Sequence, residues 1–445
     1  MKPLPQSIEP QSIKPTILYS THLKPQTLFE YGTSRRNGEN ATMYSCVFVH
    51  DYLVCCASNG MICVWDSFSS SNGSRQHQLD VEIGQKRSYD EIRDGSRPIV
   101  CVQAVSSKEN TNSSLYDIQY IPNKDLLIVS GDPGVFVYKW SDFQSAMAQY
   151  EHSSTKTVNI QPVSTFRPHS SPYETIEINS TSYDASSNIL YAASGDGFGC
   201  YQWDLETEQL LGTFGRGNKI SNSGHVDYLH VVKVVDGAVI TGGEDGKIVS
   251  ANSLYHKLTK GFWNGHERKL IELYDIQSTM DKNKQLVTGQ STNRGFLNNS
   301  SIWSNGCNLW VSSIEPNGNW LAVGGGAEYG HNGITARSSS MPATTGFLTT
   351  WHLPTRSFTS GCVTRESINA IVYNPSLDML VTGANEGRIS YWESTSTKRV
   401  GRAWCSASAT YALAVSLESG KMVAGGCGGV VDCFVDRVRI SQLRL

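Results

Sequence analysis

The sequence predicts an all-β fold, a seven-bladed WD40-type β-propeller. A two-strand hairpin pattern recurs seven times, most copies end on a large aromatic residue, and Gly-bearing turns separate alternating strands. A four-stranded sheet of this kind cannot bury both faces alone. Stacking it against two neighbours does so, and the array closes into a ring.

The copies run in order. LVCCASNGMICVWD ends at Trp65-Asp66, LLIVSGDPGVFVYKW at Trp140, and LYAASGDGFGCYQWD at Trp203-Asp204. The fourth, VITGGEDGKIVSAN, places Ala251-Asn252 where Trp-Asp would stand. The fifth is WLAVGGG, an insertion, then GFLTTWH with Trp351. MLVTGANEGRISYWE ends at Trp392-Glu393, and MVAGGCGGVVDCFVD puts Phe434 at the aromatic position. Period-2 alternation marks the strands. Asn59-Gly60, Asp196-Gly197 and Asp245-Gly246 supply the positive φ of tight hairpin turns. Each terminal Trp is large enough to wedge between neighbouring sheets. Seven further strands precede the hairpins, for example SCVFVHDYL, INSTSYDAS and INAIVYNPS.

Trp392 follows Trp351 by 41 residues and Phe434 follows Trp392 by 42, matching a repeat of about 40–45. The earlier intervals are longer, and the excess falls near 67–112, 141–176, 253–303 and 327–345. These Ser-, Asn-, Gly- and Lys-rich stretches read as long surface loops. Residues 1–40 read as a Pro-rich, partly disordered N-terminal extension, and 41–445 as the propeller. RVRISQLRL after Phe434 alternates like a fourth strand, so the C-terminus is expected to complete its own blade. The competing arrangement pairs Leu18–Glu30 into it.

Hydrophobic residues at 39% and charged residues at 17% of 445 suit a packed core. A formal charge of −3 shows no basic field, so any RNA contact is expected to be indirect or weak. Eleven cysteines include Cys55-Cys56 but no Cys-x-x-Cys, which fits neither a disulfide framework nor a zinc site. The N-terminal MKPLPQSIEPQSIKPTILYS does not read as a signal peptide, and no segment approaches a membrane span of ~18 apolar residues.

Enzyme motifs fail on spacing. SGDGFGCYQW, from Ser194, misplaces the Gly and Trp of a sialidase Asp-box. The glycines at 195, 197 and 199 precede a hairpin, not the helix N-terminus that a nucleotide site needs. Gly324-Gly325-Gly326 lacks the Lys-Ser/Thr of a phosphate loop, and HERKL at His266 lacks a second His. The chain is therefore expected to be non-catalytic, with no cofactor, metal or small-molecule substrate.

Gly224-His225 is the one Gly-His dipeptide with a full partner set: His225, Thr241 and Asp245 are expected to form a buried chain tying loop to turn. Trp65, Trp140, Trp203, Trp351 and Trp392 are expected to be structural. Asp227, Tyr228 and Glu244 are the candidate partner-binding residues. They fall where a WD blade reaches the ring's rim, and a tyrosine flanked by acids suits a basic partner.

Gly224-His225-Val226-Asp227-Tyr228-Leu229-His230, followed by GGEDG, and NGNWLAVGGG leading to TTWHLPTRS resemble the subunit 6 family of the THO complex. The likeness is clearest over about 185–250 and 300–395. It implies a nuclear scaffold supporting mRNA processing and export within TREX, with the coiled-coil THO subunits 5 and 7 as partners. The insertions near 253–303 and 327–345, and Ala251, depart from the family pattern. The alternative is a WD-repeat adaptor in another complex, such as a Cullin-4 ubiquitin ligase. The Trp-Asp-x-Arg expected there reads Trp65-Asp66-Ser67-Phe68 and Trp203-Asp204-Leu205-Glu206, without the arginine.

Overall fold

A computed structural model describes residues 41–66, 98–104, 114–132, 134–149, 156–168, 177–195, 199–214, 224–252, 270–289, 307–329 and 344–444. Blade 1 contains β1 (Met43–Val49), β2 (Tyr52–Ala57), β3 (Met61–Asp66) and β4 (Val100–Gln103). Then come β5 (Leu115–Ile121), β6 (Leu126–Gly131), β7 (Gly134–Lys139), helix α1 (Trp140–Ala148), β8 (Lys156–Val158) and β9 (Ser164–Phe166). Blade 2 takes β5, β6, β7 and β9. Blade 3 is β10 (Ile178–Asp184), β11 (Ile189–Ser194), β12 (Cys200–Asp204) and β13 (Leu210–Phe214). Blade 4 is β14 (Leu229–Val235), β15 (Ala238–Gly243), β16 (Lys247–Asn252) and β17 (Leu270–Asp275), followed by helix α2 (Ile276–Lys282) and β18 (Val287–Gly289). Blade 5 has β19 (Cys307–Asn317), β20 (Trp320–Tyr329), β21 (Thr344–His352) and β22 (Ser357–Thr364). Blade 6 is β23 (Ile368–Asn374), β24 (Met379–Ala384), β25 (Arg388–Glu393) and β26 (Arg399–Trp404). Blade 7 is β27 (Thr410–Val415), β28 (Met422–Gly426), β29 (Val430–Val435) and β30 (Val438–Arg444).

The first strands of successive blades touch one another around the ring and form its inner wall. Seven apolar clusters fill the seven interfaces between blades. In every blade but the fourth, which has Ala251, the residue second from the end of the third strand is aromatic and packs toward the preceding blade. Trp203 lies with Ile128 and Phe166 of blade 2, Trp392 with Leu348 and Cys362 of blade 5, and Phe434 with Val381 and Tyr391 of blade 6. Trp65, Trp203, Trp351 and Trp392 are all buried at this position.

Trp140 does not occupy it. Tyr138 does, opposite Leu127, as Trp65 stands opposite Leu53. Trp140 is the first residue of α1 and stacks on Phe143 at 5.6 Å. The two intervals around it are therefore 138 − 65 = 73 and 203 − 138 = 65.

The stretch 141–176 is not simply a loop. Trp140, Phe143, Ala146 and Met147 repeat at helical spacing and plug the core between blades 1 and 2. β8 then pairs parallel to β4, making blade 1 five-stranded. Of the stretch 253–303 only 270–289 is described, and it does the same at blades 4 and 5. The Asp275 carboxylate caps α2 by accepting from the Ser278 N–H at 2.7 Å, Ile276 and Met280 enter the core, and β18 pairs parallel to β22. Both additions cover an outer edge that would otherwise stand open to other chains. The expected loops at 67–112 and 327–345 lie largely outside the described residues. So do the extension 1–40, with its alternative strand Leu18–Glu30, and the turn Asp196-Gly197.

Gly324-Gly325-Gly326 lies inside β20, where a Cβ on Gly326 would stand 2.0 Å from the Trp310 ring. The glycines are needed for that close approach.

The C-terminus supplies the outer strand of blade 7. Among the described residues no strand is exchanged to close the ring; a single antiparallel bridge, Thr42 with Cys427, and packing join its ends: Met43, Cys46, Cys55, Cys63 and Trp65 of blade 1 pack against Ala412, Val423, Val431 and Cys433 of blade 7. Of the ten cysteines whose side chains are described, nine are buried. They act here as small apolar side chains.

The innermost strand pairs on one side only, so N–H groups on its other edge need partners. The preceding blade supplies them. Asp117 accepts from Thr181 N at 2.8 Å, Ser182 Oγ from Val234 N at 3.0 Å, Ser313 Oγ from Ile371 N at 3.0 Å and Glu315 from Tyr373 N at 3.0 Å. Asp117 also accepts from Ser45 Oγ, Thr181 Oγ1 and Ile118 N, linking blades 1, 2 and 3. Asp117→Ala orphans these donors and is expected to lower stability by about 2–3 kcal/mol in denaturant unfolding. A loss below about 0.5 kcal/mol, the scale of an ordinary surface change, would show that the inter-blade bonds are incidental.

Candidate partner-binding face

Strand order divides the ring's ends. At one end lie the turns between second and third strands together with the inter-blade connections, and the predicted partner-binding residues Asp227, Tyr228 and Glu244 are there. The seven innermost strands each carry a register shift at the same step, near their start at this end. The residues so displaced are Tyr44, Tyr116, Asn179 and His230 in blades 1 to 4. Ser312, Asn369 and Tyr411 follow in blades 5 to 7. A bulge re-aims its side chain, and here it serves two ends. Tyr116, His230 and Asn369 bond to their own blade's turn, at Asp132, Glu244 and Asn385. Asn179 and Ser312 instead donate to the next inner strand's first carbonyl, at Leu229 and Ile368.

The mouth is chemically lopsided. Tyr44 sits between Tyr116 and Tyr411, with ring centroids 5.3 and 5.6 Å apart. All three are half-buried. The Tyr116 hydroxyl is raised well above its ordinary pKa, by burial first and then by the charges of Asp132 and Glu177. Burial likewise leads the upward shift of Tyr44, with Cys427 and Glu177 adding to it. Acids therefore stand beside the tyrosines.

The predicted residues lie two blades further round. Tyr228 is 37% exposed, and its ring edge rests on Gly195 of blade 3, where a Cβ would come within 2.8 Å. Its carbonyl accepts from Glu244 N at 2.7 Å, and Asp227 accepts from Tyr228 N at 2.9 Å. The three predicted residues thus form one surface. Glu244 is held below the usual carboxylate range, chiefly by a hydrogen bond with His230. Its side chain is 45% exposed.

His225 anchors this surface. It is fully buried, with Nδ1 2.9 Å from Asp245 and Nε2 3.0 Å from the Thr241 hydroxyl. Asp245 also accepts from Val226 N at 3.1 Å, and Thr241 Oγ1 donates to Val249 O at 3.3 Å. The Trp that would end this chain is replaced by Ala251. Blade 6 shows that ending: Trp392 Nε1 donates to Thr382 at 2.9 Å, and Asn385 donates to Ser367 in place of the Asp–His pair. The role of His225 is to hold the connection Gly224–Tyr228 against its blade.

Sequence reasoning missed Tyr44, Tyr116, Tyr411 and His230. The available signal was the second residue of the inner strand, which is Tyr44, Tyr116, His230 and Tyr411 in blades 1, 2, 4 and 7.

Among the described residues no three His, Cys, Asp or Glu side chains converge closely enough to hold a metal ion. No helix there is long and apolar enough to cross a membrane. No protein-family model matches the sequence, and no curated protein matches it.

Burial alone would raise the Asp245 pKa. The hydrogen bonds from His225 and Val226, with the nearby charges, outweigh burial and leave it lowered. A carboxyl lowered on folding stabilises above its unfolded pKa of about 3.9, and that contribution is lost as pH falls through the folded value. Asp245→Asn should therefore cost about 1–3 kcal/mol at pH 7. The gap from wild type should close below pH ~4. A gap that stays constant in acid would mean that charge contributes nothing there.

Proposed function

We propose that this chain is a non-catalytic scaffold of WD-repeat type that grips basic protein segments at the lopsided mouth of its ring. The ring is a seven-bladed propeller, and folds of this kind generally mediate protein–protein contacts. The observation that carries the reading is the sector from blade 7 to blade 4. It brings Tyr411, Tyr44 and Tyr116 to one rim, with Tyr228 and the acids Asp132, Glu177 and Glu244 on the same side. Tyrosines offer rigid, amphipathic contact area, and acids beside them favour a cationic partner.

The finer reading is a nuclear subunit of THO within TREX that supports mRNA processing and export by holding coiled-coil subunits. It rests on the resemblance over about 185–250 and 300–395. The His225 anchor lies in the first of those stretches and positions Tyr228 and Asp227.

The test is a Tyr228→Ala, Glu244→Lys double variant with a Tm within about 2 °C of wild type, the shift expected below ~1 kcal/mol. Tagged in its native cell, it should lose at least about tenfold of the co-purifying partner, equivalent to ~1.4 kcal/mol. Partners retained at wild-type levels would remove this face from the proposal. Wild-type purification that returns a ubiquitin ligase instead of coiled-coil THO subunits would remove the THO reading.

A further inference from the structure

Blade 1 carries a row of thiols, one on each of its first four strands. Register sets Cys46 opposite Cys55, Cys55 opposite Cys63 and Cys63 opposite Cys101. Cross-strand partners share a face, and all four enter the cluster between blades 1 and 7, where Cys433 joins them. Cysteine packs there as a small apolar residue, but its sulfur is also the reactive atom.

One pair has the geometry for bond formation. The Ala104 N–H donates to Gly60 O at 3.0 Å, which makes Gly60 and Ala104 a hydrogen-bonded pair at the end of β3 and β4. Such pairs alternate with non-bonded ones along an antiparallel ladder, so Cys63 and Cys101 stand at a non-bonded position. Cα atoms at such a position approach to about 4.5 Å, inside the span of about 4.4–6.8 Å that a disulfide bridges. The two Sγ atoms are 3.6 Å apart.

The two thiols differ. Cys63 is fully buried, and burial pushes its thiol well above the ordinary range. Cys101 keeps 6% exposure, and the hydrogen bond with Cys63 lowers its thiol. The thiolate is the nucleophile, so Cys101 is the attacking group and Cys63 the resolving one.

We propose that Cys63 and Cys101 are a redox modification site whose substrate is a hydroperoxide, and that oxidation closes a reversible disulfide fastening β4 to its blade. The Cys101 thiolate attacks one peroxide oxygen. The S–O bond forms as the O–O bond breaks, and the leaving hydroxide takes up a proton as water. The Cys63 sulfur then attacks the Cys101 sulfur. The S–S bond forms, the S–O bond breaks, and the Cys63 proton leaves with the hydroxyl as water. Both electrons that reduce the peroxide come from the sulfur pair. The bond closes a loop across 101 − 63 = 38 residues, whereas β4 meets β3 over only four residue pairs. Closing so long a loop constrains the unfolded chain. A link from Cys46 to Cys55 would only reinforce the tight hairpin at His50-Asp51. The site lies on a different blade from Tyr228, and it stands or falls independently of the docking face there.

The experiment treats the folded full-length chain with hydrogen peroxide, alkylates it under denaturing conditions and maps it by mass spectrometry. A disulfide joining the Cys63 and Cys101 peptides should appear, about 2 Da lighter than the two thiols. Dithiothreitol should reopen it. The oxidised chain should melt about 2–4 °C higher than the reduced one, from closure of the loop. Cys63→Ala keeps a small apolar side chain and removes the resolving thiol, so Cys101 should then take up the sulfenic-acid trap dimedone. Cys427 is the one cysteine not buried among those whose side chains are described. Oxidation at Cys427 with Cys63 and Cys101 both left as thiols would overturn the proposal. So would a disulfide from Cys46 to Cys55 in place of this one, or a Cys63–Cys101 bond that forms only once urea has unfolded the chain.

Discussion

The inner edge of every blade is the constraint on which the structure turns. A first strand pairs with its own second strand and leaves a row of N–H groups facing inward. In a lone sheet such an edge would recruit another chain. Here Asp117, Ser182, Ser313 and Glu315 reach across from the preceding blade and accept those donors. Blade 6 presents Ala370 and blade 7 presents Ala412 and Ala414 on their inner strands, and packing takes over. The ring is therefore held by polar bonds around part of its wall and by close apolar contact where it closes. Glu315 shows the tension in the polar solution. Its burial raises its pKa, Lys233 and the Tyr373 N–H oppose that rise, and the carboxylate stays tied to the next blade.

The bulges follow from the same geometry. Adjacent inner strands converge at the mouth, so a side chain displaced there meets either its own turn or the neighbouring strand. Polar residues use the position for linkage, as Asn179 and Ser312 do. Tyrosines use it to meet each other across blades 7, 1 and 2. One device thus serves both stability and the lining of the mouth. The buried His225–Asp245 pair extends it outward by fixing the connection that carries Asp227 and Tyr228.

The repeat pattern was legible because hairpin physics is local. Alternation, turn glycine and a closing aromatic all lie within about fifteen residues, and each copy repeats the message. The His225, Thr241 and Asp245 chain was legible for the same reason: all three belong to one blade and its leading connection. Trp140 misled because the tryptophan stands two residues beyond Tyr138, and sequence alone does not say where a strand ends and a helix begins. Helices α1 and α2 were hidden by the polar composition of 141–176 and 253–303. Their apolar residues are few, and spacing alone marks them.

The sequence by itself determined the number of blades and the buried tie beneath Tyr228, because each depends on residues close in the chain. Tertiary structure alone decided which side chains meet across blades. Tyr44 joins Tyr116 and Tyr411, and β8 and β18 cover blades 1 and 5. Those contacts depend on the rotation from one blade to the next, which closure of the whole ring imposes and no single repeat encodes.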